Sequence, residues 1–357
     1  MADPISTAAM TFRVTVKQFS QSFGVETGQT ILEAALAHDL SYPHGCRSGN
    51  CGACKSELLS GNVEMSPFSE YALTAAERSS GLILACRAVP WSDCAVKFLD
   101  FDDTVAHPFR HLVCKVTAVD SVTHDIKRIR LKVLDGGPYH FSAGQYARVE
   151  FPGVPARDYS MANRPDDKTL EFHVRLVPGG AATPFVATRL KVGDKVKVFG
   201  PHGTSYLRDR HSGPILAFAG GSGLAPIKSI VETALASGAT QPIRLYFGVR
   251  DERDLYLEEH FRKLAKKHRN LTFEPVLSEP TKATERRTGF LADIIRKDFG
   301  GAKASVLDGA KAYLAGPPVM VETAVAALTE LGLRRQDCHA DAFYSEAEKA
   351  ALNEAMP

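Results

Sequence analysis

Four cysteines near the N-terminus could do chemistry together: Cys46, Cys51 and Cys54 in a C-x4-C-x2-C run, then Cys86 after 31 intervening residues. That spacing suits four thiolate ligands of a [2Fe–2S] cluster. Such a cluster carries one electron at a time and binds no organic substrate. The segment Gly45-Cys46-Arg47-Ser48-Gly49-Asn50-Cys51-Gly52-Ala53-Cys54 is short and glycine-rich. An anionic cluster needs backbone N–H groups turned toward its sulfurs, and glycines let a loop fold that closely. Arg47 adds a donor or a positive edge. The competing reading is a structural zinc site of four cysteines. Zinc sites usually pair two C-x2-C knuckles, and only one is present here.

The elements around the cysteines fit a small electron-carrier domain. Thr11 to Val16 alternates, with Phe12, Val14 and Val16 on one face, which predicts a strand. Thr30-Ile31-Leu32-Glu33 forms a capping-box sequence that opens a helix running to about His38. Strand, helix, cysteine loop and distant fourth cysteine is the order of a plant-type ferredoxin (β-grasp) domain. Residues 1–10 are expected to be a flexible tail and 11–105 the ferredoxin domain.

The remainder divides twice more. Asp100 to His111 is polar and aperiodic, which reads as a linker. Residues 106–208 hold short alternating stretches: Cys114/Val116/Ala118, Ile129/Leu131/Val133, Tyr146 to Phe151, Leu170 to Leu176 and Val196 to Phe199. Their spacing predicts a small antiparallel six-stranded barrel. In residues 209–345 strands alternate with helices. Strands are expected at Ile215–Ala219, Ile243–Gly248, Leu271–Val276, Ala312–Ala315 and His339–Phe343. Helices are expected at Pro226–Ala236, Leu255–Lys267, Leu291–Phe299 and Val319–Leu331. This alternation predicts an open parallel, Rossmann-like α/β sheet. Residues 346–357 are left as a C-terminal tail.

These two parts carry phosphate-facing motifs. Arg157-Asp158-Tyr159-Ser160 supplies a bidentate cation, a stacking ring and a hydroxyl, a set suited to a flavin. Pro178-Gly179-Gly180-Ala181-Ala182-Thr183 follows His173-Val174-Arg175 and lets backbone N–H groups approach a pyrophosphate near a helix start. Gly220-Gly221-Ser222-Gly223-Leu224-Ala225-Pro226 follows a strand and opens a helix, as a dinucleotide loop does, with Pro226 where a third glycine would stand. Ala315-Gly316-Pro317-Pro318 is a further strand-to-helix turn that lets backbone approach a nicotinamide or simply ends a strand.

Composition sets the class. The chain has 357 residues, is 44% hydrophobic and 24% charged, and carries a net charge of +2. That is ordinary for globular proteins and too little positive charge to argue for nucleic acid. Cys94, Cys114 and Cys338, the cysteines left outside the cluster motif, read as small buried hydrophobes. An odd cysteine count with a cluster motif speaks for a reducing compartment, hence a cytoplasmic protein. No segment reaches the length of apolar residues that spans a bilayer, and nothing demands more than a monomer.

The motif order R-x-Y-S, G-G-x-x-T, G-G-x-G-x-x-P and G-P-P behind a ferredoxin domain resembles the ferredoxin–NADP reductase superfamily. Within it, the chain resembles the iron–sulfur flavoprotein reductases of bacterial aromatic-ring dioxygenases, naphthalene 1,2-dioxygenase type. Thr123-His124-Asp125-Ile126, Gly144-Gln145-Tyr146, Tyr159-Ser160-Met161-Ala162, Tyr246-Phe247-Gly248-Val249-Arg250 and Ala340-Asp341-Ala342-Phe343-Tyr344 carry the likeness over residues 11 to 345. The resemblance implies FAD, a reduced nicotinamide donor and a protein acceptor. Hydride would pass from NAD(P)H to FAD, and single electrons through the cluster to an oxygenase or its separate ferredoxin.

By position, the resemblance implies that Arg157, Tyr159 and Ser160 bind flavin, with Ser160 near its redox-active nitrogen. It places Arg175, Gly179, Gly180 and Thr183 at the FAD phosphates, with His173 and Val174 on the adjoining strand. It assigns Gly220, Gly221, Gly223, Pro226, Gly316 and Pro317 to the nicotinamide-nucleotide pocket. Phe343, or Tyr344 after it, would cover the flavin until nicotinamide displaces it. Ser160, Tyr159 and Phe343 are thus the expected catalytic residues. Ala315 departs from the cysteine common at its position, which leaves hydride transfer intact in principle. His38, His44, His124 and His202 read as structural or surface groups.

Donor choice is balanced. Arg250 and Arg253 attract a 2′-phosphate, whereas Asp251, Glu252 and Asp254 repel it or bond a ribose hydroxyl. The reading leans to NADH with some NADPH use. Two other functions are carried forward. One keeps the electron chain but serves a diiron monooxygenase or a sugar-deoxygenating enzyme. The other is a zinc-stapled nucleotide-binding or redox-sensing module.

Overall fold

The computed structural model describes residues 10–19, 21–40, 42–45, 47–49, 52–70, 72–99, 105, 107–301 and 306–348. These form two compact units, one within residues 1–104 joined by the residues from Glu346, the other from Val105 to Ser345.

The first unit is a mixed sheet with a helix laid on it. Its strands are β1 (Thr11–Val16), β2 (Gln21–Glu26), β3 (Lys55–Ser60), β4 (Val63–Met65), β5 (Leu82–Leu84), β6 (Ala88–Pro90) and β7 (Cys94–Phe98); its helices are α1 (Ile31–Ala37) and α2 (Ala75–Ser79). The sheet order is β2-β1-β7-β3-β5, with β4 and β6 as a separate ribbon. The expected capping box starts α1: Thr30 Oγ1 accepts the Glu33 N–H and Glu33 accepts the Thr30 N–H. Ile31, Leu32, Ala34 and Ala35 then face a core with Val14, Val16, Val25 and Val96. Of the expected N-terminal tail, residues 1–9 lie outside the described residues. Met10 is not loose, because its carbonyl accepts both the N–H and the hydroxyl of Thr27.

The second unit begins with an antiparallel barrel. Its strands are β8 (Arg110–Ser121), β9 (Ile126–Asp135), β10 (Tyr146–Glu150), β11 (Arg157–Ser160), β12 (Leu170–Arg175) and β13 (Lys195–His202), with helix α3 (Thr183–Thr188). The order is β11-β10-β13-β8-β9-β12. A Met161–Phe172 bridge and the Ala162 N–H to Glu171 carbonyl bond nearly close the ring. The expected linker is too long by two residues: Arg110 and His111 pair with Gly200 and Phe199 in the barrel. Residues Asp100–Thr104 and Ala106 of that linker lie outside the described residues.

A parallel sheet completes this unit: β14 (Ile215–Gly220), β15 (Ile243–Val249), β16 (Leu271–Leu277), β17 (Arg287–Thr288), β18 (Lys311–Gly316) and β19 (Cys338–Ala342), with helices α4 (Leu224–Ala236), α5 (Glu258–Lys267), α6 (Leu291–Phe299) and α7 (Pro318–Glu330). The order β17-β16-β15-β14-β18-β19 reverses direction at β14, between β15 and β18. Ligands of open α/β sheets bind at such a switch point, beyond the strand C-termini. Every residue of β14 is buried, as a central parallel strand requires. The expected start of α5 at Leu255 is corrected. Asp251 caps a 3-10 turn at Glu252–Asp254, and Leu257 turns left-handed (φ 56°), so the helix begins at Glu258. The C-terminal tail is helical at 346–348, and residues 349–357 lie outside the described residues. No helix among the described residues is long and apolar enough to cross a membrane.

Candidate functional site

Two of the four expected cluster ligands are described, and the fold brings them together. Cys54 ends the cysteine loop and leads into β3, while Cys86 follows β5. Antiparallel pairing sets Lys55 opposite Leu84, and the Ala85 N–H donates to the Cys54 carbonyl at 3.1 Å. Both cysteines are buried. Tyr42 packs beside them, its hydroxyl 2.5 Å from Ser56 Oγ, which in turn donates to the Cys54 carbonyl. Burial raises the Tyr42 pKa; the Ser56 bond pulls it down, and the nearby Cys54 and Cys86 sulfurs push it up. Gly52 is left-handed at φ 74°, and a Cβ there would lie 2.9 Å from the Ala72 carbonyl. Arg47 joins His44, whose Nδ1 bonds the Tyr42 carbonyl at 2.7 Å. Two buried cysteines brought together by backbone pairing, with a left-handed glycine at Gly52, fit a four-thiolate cluster. Cys46 and Cys51 lie outside the described residues.

The remaining cysteines behave as expected of buried hydrophobes. Cys94, Cys114 and Cys338 are buried, and burial pushes the Cys114 and Cys338 thiols up to about 12.

In the barrel, Arg157, Tyr159 and Ser160 are carried by β11, paired to β10 so that Ser160 faces Tyr146 and Tyr159 faces Ala147. The Tyr159 hydroxyl is enclosed, with no hydrogen-bond partner among the described residues. The cation, ring and hydroxyl of Arg157, Tyr159 and Ser160 share this one short strand, a set that fits a flavin. Ser160 Oγ donates to Asp341 Oδ2 at 3.3 Å, joining residues 181 positions apart. Arg157 donates to the Ala156 carbonyl. Arg175, at the end of β12, is fixed through Nε by Asp125 Oδ2 at 3.0 Å. Burial would raise the Asp125 pKa, but bonds to Thr123 and Arg175 outweigh it and keep the carboxyl below its ordinary range. Thr183 opens α3 and its hydroxyl accepts the Val177 N–H, folding the Gly179–Gly180 turn over it.

His173 and Val174, both expected at the cofactor, have their side chains packed inside the protein. Val174 lies in the barrel core. The His173 ring is fully enclosed, with Nδ1 3.0 Å from the Tyr256 hydroxyl and Nε2 3.1 Å from Glu171 Oε1. Burial keeps the imidazole neutral, so Nε2–H donates to Glu171 and Nδ1 accepts from Tyr256. The network continues through Lys228 of α4, which reaches Glu171, Glu232 and the Ala162 carbonyl, while Ser229 donates to the Asn163 carbonyl. Tyr256 Oη also lies 3.4 Å from the Gly221 carbonyl. The helix after the glycine loop thus grips the segment that follows R-x-Y-S. His173 therefore ties barrel to nucleotide domain.

Glu171 makes this network pH-sensitive. Burial would raise its pKa, but the His173 bond and Lys228 hold it far below the ordinary 4.5. Its contribution is complete above pH 4.5 and fades as acid lowers the pH toward the depressed folded value. Glu171→Gln is expected to lose about 3 kcal/mol at pH 7 and to flatten the fall of Tm below pH 4.5. Thermal melts of variant and wild type across that range check this.

The nucleotide loops meet at the switch point. A 3-10 turn at Gly221–Gly223 leads into α4, which starts at Leu224, two residues before the expected Pro226. Pro226 occupies its first turn. A Cβ at Gly223 would lie 2.0 Å from the Ala315 carbonyl oxygen, and one at Gly316 would lie 2.8 Å from the Gly220 oxygen. A cleft of about 720 Å³ runs from Asp125 and Arg175 across Gly220, Gly221 and Pro317 to Phe290 beyond the sheet. That volume suits a dinucleotide. Phe343 packs against the nucleotide-domain core and its N–H bonds the Gly316 carbonyl, whereas the Tyr344 hydroxyl bonds Glu322. Sequence reasoning missed Asp341, Glu171, Tyr256 and Lys228 as site-forming groups. Only the carboxylate of T-x-D at Asp125 had a local signal, a turn motif.

Comparison with known proteins matches these parts. Residues 14–90 match a 2Fe-2S iron-sulfur cluster binding domain, 113–206 an oxidoreductase FAD-binding domain, and 218–326 an oxidoreductase NAD-binding domain. The chain is therefore an NAD(P)H-dependent iron–sulfur flavoprotein oxidoreductase. It is 41% identical to the naphthalene 1,2-dioxygenase system ferredoxin–NAD(P)(+) reductase component of Pseudomonas putida, over 89% of this chain and 94% of that one. It is 37% identical to the phenol 2-monooxygenase reductase component DmpP of Pseudomonas sp. strain CF600, over 96% and 97%. The solved ferredoxin reductase in carbazole 1,9a-dioxygenase superposes with a TM-score of 0.68 at 29% identity, over 94% of this chain and 99% of that one. The chain belongs to the family of reductase components of multicomponent oxygenase systems.

Proposed function

We propose that this protein supplies a Rieske-type aromatic-ring-hydroxylating oxygenase, directly or through a separate ferredoxin, in the cytoplasm, as a monomer. The full-length likeness to the naphthalene dioxygenase component carries this reading. The likeness to a phenol monooxygenase component supports a second client, a diiron hydroxylase. Reconstitution with each purified oxygenase, with and without a ferredoxin, separates the two. Product formation with a Rieske oxygenase at NADH cost near one per turnover supports the first. Turnover confined to the diiron partner refutes it.

The flavin and cluster, when bound, supply the conversion of a two-electron hydride donor into single electrons. In this reading Cys46, Cys51, Cys54 and Cys86 hold the cluster. Arg157, Tyr159 and Ser160 hold the flavin ring region, Arg175 and the Gly179–Thr183 turn its phosphates. The Gly220–Gly223 and Gly316–Pro317 loops hold the nicotinamide nucleotide. Phe343, whose N–H bonds the Gly316 carbonyl, and Tyr344 follow the last strand beside that turn. The Ser160 hydroxyl points its hydrogen at Asp341, which leaves Oγ lone pairs as acceptors. A proton taken at Ser160 Oγ has Asp341 as its next stop.

Asp341→Asn is expected to lower turnover about tenfold, with the KM for NADH nearly unchanged. Steady-state kinetics with varied NADH check this. A rise in KM with kcat intact would instead make Asp341 a nucleotide-binding group.

A further inference from the structure

Three separate stretches of chain wall the cleft at its barrel end. The barrel gives Asp125 and Arg175, the glycine loop gives Gly220 and Gly221, and the connection from β15 to α5 gives Arg250 and Asp254. A ligand that touches all three is held only as well as their spacing allows. Two contacts join the barrel to the β15–α5 connection. At the rim, exposed His124 places Nδ1 3.5 Å from Asp254 Oδ1. A pair so open to solvent contributes little. Inside, the rings of His173 and Tyr256 meet edge to face with centroids 5.3 Å apart, and Nδ1 lies 3.0 Å from the hydroxyl. Both side chains are buried, and neither lines the cleft.

Tyr256 stands where no helix or strand holds the chain. The 3-10 turn at Glu252–Asp254 precedes it and left-handed Leu257 follows. Its side chain anchors this stretch, packing edge-on against Phe247 of β15 as well as against His173. The hydroxyl has one hydrogen and two acceptors within reach. Glu171 takes the Nε2 hydrogen of His173, so Nδ1 is bare and accepts from Tyr256. The Gly221 carbonyl oxygen, at 3.4 Å, shares that hydrogen as the longer arm of a three-centre bond. In a trans peptide the C=O and N–H point opposite ways. Holding the Gly221 carbonyl toward Tyr256 therefore turns the Ser222 N–H away from the buried side. One hydroxyl thus links the barrel, the glycine loop and the β15–α5 connection.

We propose that His173 and Tyr256 are positioning residues of the nucleotide cleft. Their buried bond fixes the glycine loop against the barrel, and so sets how tightly the reduced nicotinamide nucleotide is held without entering the hydride step. The inference rests on the cleft being the nucleotide site and goes beyond it by assigning two residues that lie outside its lining.

The test is rapid anaerobic mixing of the full-length holoprotein with rising NADH, which yields a half-saturating concentration and a limiting rate of flavin reduction. Tyr256→Phe removes the hydroxyl and keeps the ring. It should raise the half-saturating concentration about fivefold to tenfold, as loss of a buried hydrogen bond does. The limiting rate should stay within about twofold, the pattern of lost uniform binding, with flavin retained. His173→Leu should raise the half-saturating concentration at least as much, and the double variant should add little, as coupled partners do. His173→Asn, which keeps an acceptor near the place of Nδ1, should recover part of the affinity. NAD+ binding to the oxidised holoprotein, read from the flavin difference spectrum, should weaken by the same factor in Tyr256→Phe. His124→Ala, at the rim, should stay within about twofold of wild type. A limiting rate that falls with the half-saturating concentration unchanged would overturn the proposal, by placing the pair at the hydride step. Flavin lost from both single variants would overturn it by placing the pair at the flavin. A lower Tm with both constants at wild-type values would overturn it by leaving stability as the only role. Wild-type flavin that NADH leaves oxidised at every concentration would overturn the reading of the cleft, and this proposal with it.

Discussion

Replacing Cys86 by serine is expected to cut electron delivery to a protein acceptor more than about a hundredfold, while NADH-driven ferricyanide reduction stays within about threefold of wild type. The split follows from where the residue sits. Cys86 belongs to the ferredoxin unit, two residues after β5. Ferricyanide can take electrons from reduced flavin, but a protein client in this scheme is served through the cluster. Serine is close in size to cysteine and poorer as an iron ligand, so the sheet should persist while the cluster is lost. Iron and flavin content separate the two losses. Iron falling with flavin retained is the expected pattern. Equal loss of ferricyanide and acceptor activity with flavin retained would mean that Cys86 is not on a branch beyond the flavin.

Gly223→Ala should be the most damaging single change in the nucleotide domain. The glycine loop and the end of β18 pass so closely that a Cβ would meet the Ala315 oxygen at 2.0 Å and its carbonyl carbon at 2.4 Å. Those are main-chain atoms of a buried strand and have nowhere to go. Either the glycine turn or the Gly316–Pro317 turn must move, and residues of both line the cleft proposed for the nicotinamide nucleotide. Flavin reduction by NADH is expected to fall about a hundredfold or more, because misplacement of about 1 Å can cost that much. Gly221→Ala is the control. It sits at φ 53°, but its Cβ would meet only Arg175 Nη1, at 3.8 Å, so a milder loss is expected. Flavin content and Tm show whether the Gly223 variant folds. A folded, flavin-loaded variant that reduces at the wild-type rate would remove this crossing from the nicotinamide site.

The sequence was most legible where periodicity and turn chemistry are local. The Thr30–Glu33 capping box started a helix as the four residues dictate. The bounds of α6 matched those expected, because its apolar face repeats cleanly between Phe290 and Gly300. The R-x-Y-S tetrapeptide forms an entire short strand. Errors arose where a few residues override periodicity. Asp251 diverts the chain into a 3-10 turn, and Leu257 must go left-handed before α5 can begin.

What could not be read locally is the partnering across distance. Ser160 finds Asp341 only after the barrel and the last parallel strand are in place. His173 was placed with the flavin because its strand leads to Arg175, yet Glu171 two residues back and Tyr256 from the other domain enclose its ring. No sequence pattern states that Lys228 reaches the Ala162 carbonyl.

Rapid mixing of the holoprotein with NADH under anaerobic conditions tests the electron chain most directly. Absorbance of flavin and of iron–sulfur centre should both bleach, with flavin leading and cluster following in the same molecule. A colourless, zinc-loaded protein, obtained despite adequate iron and flavin during expression, would contradict this, as would flavin bleaching with the cluster left oxidised.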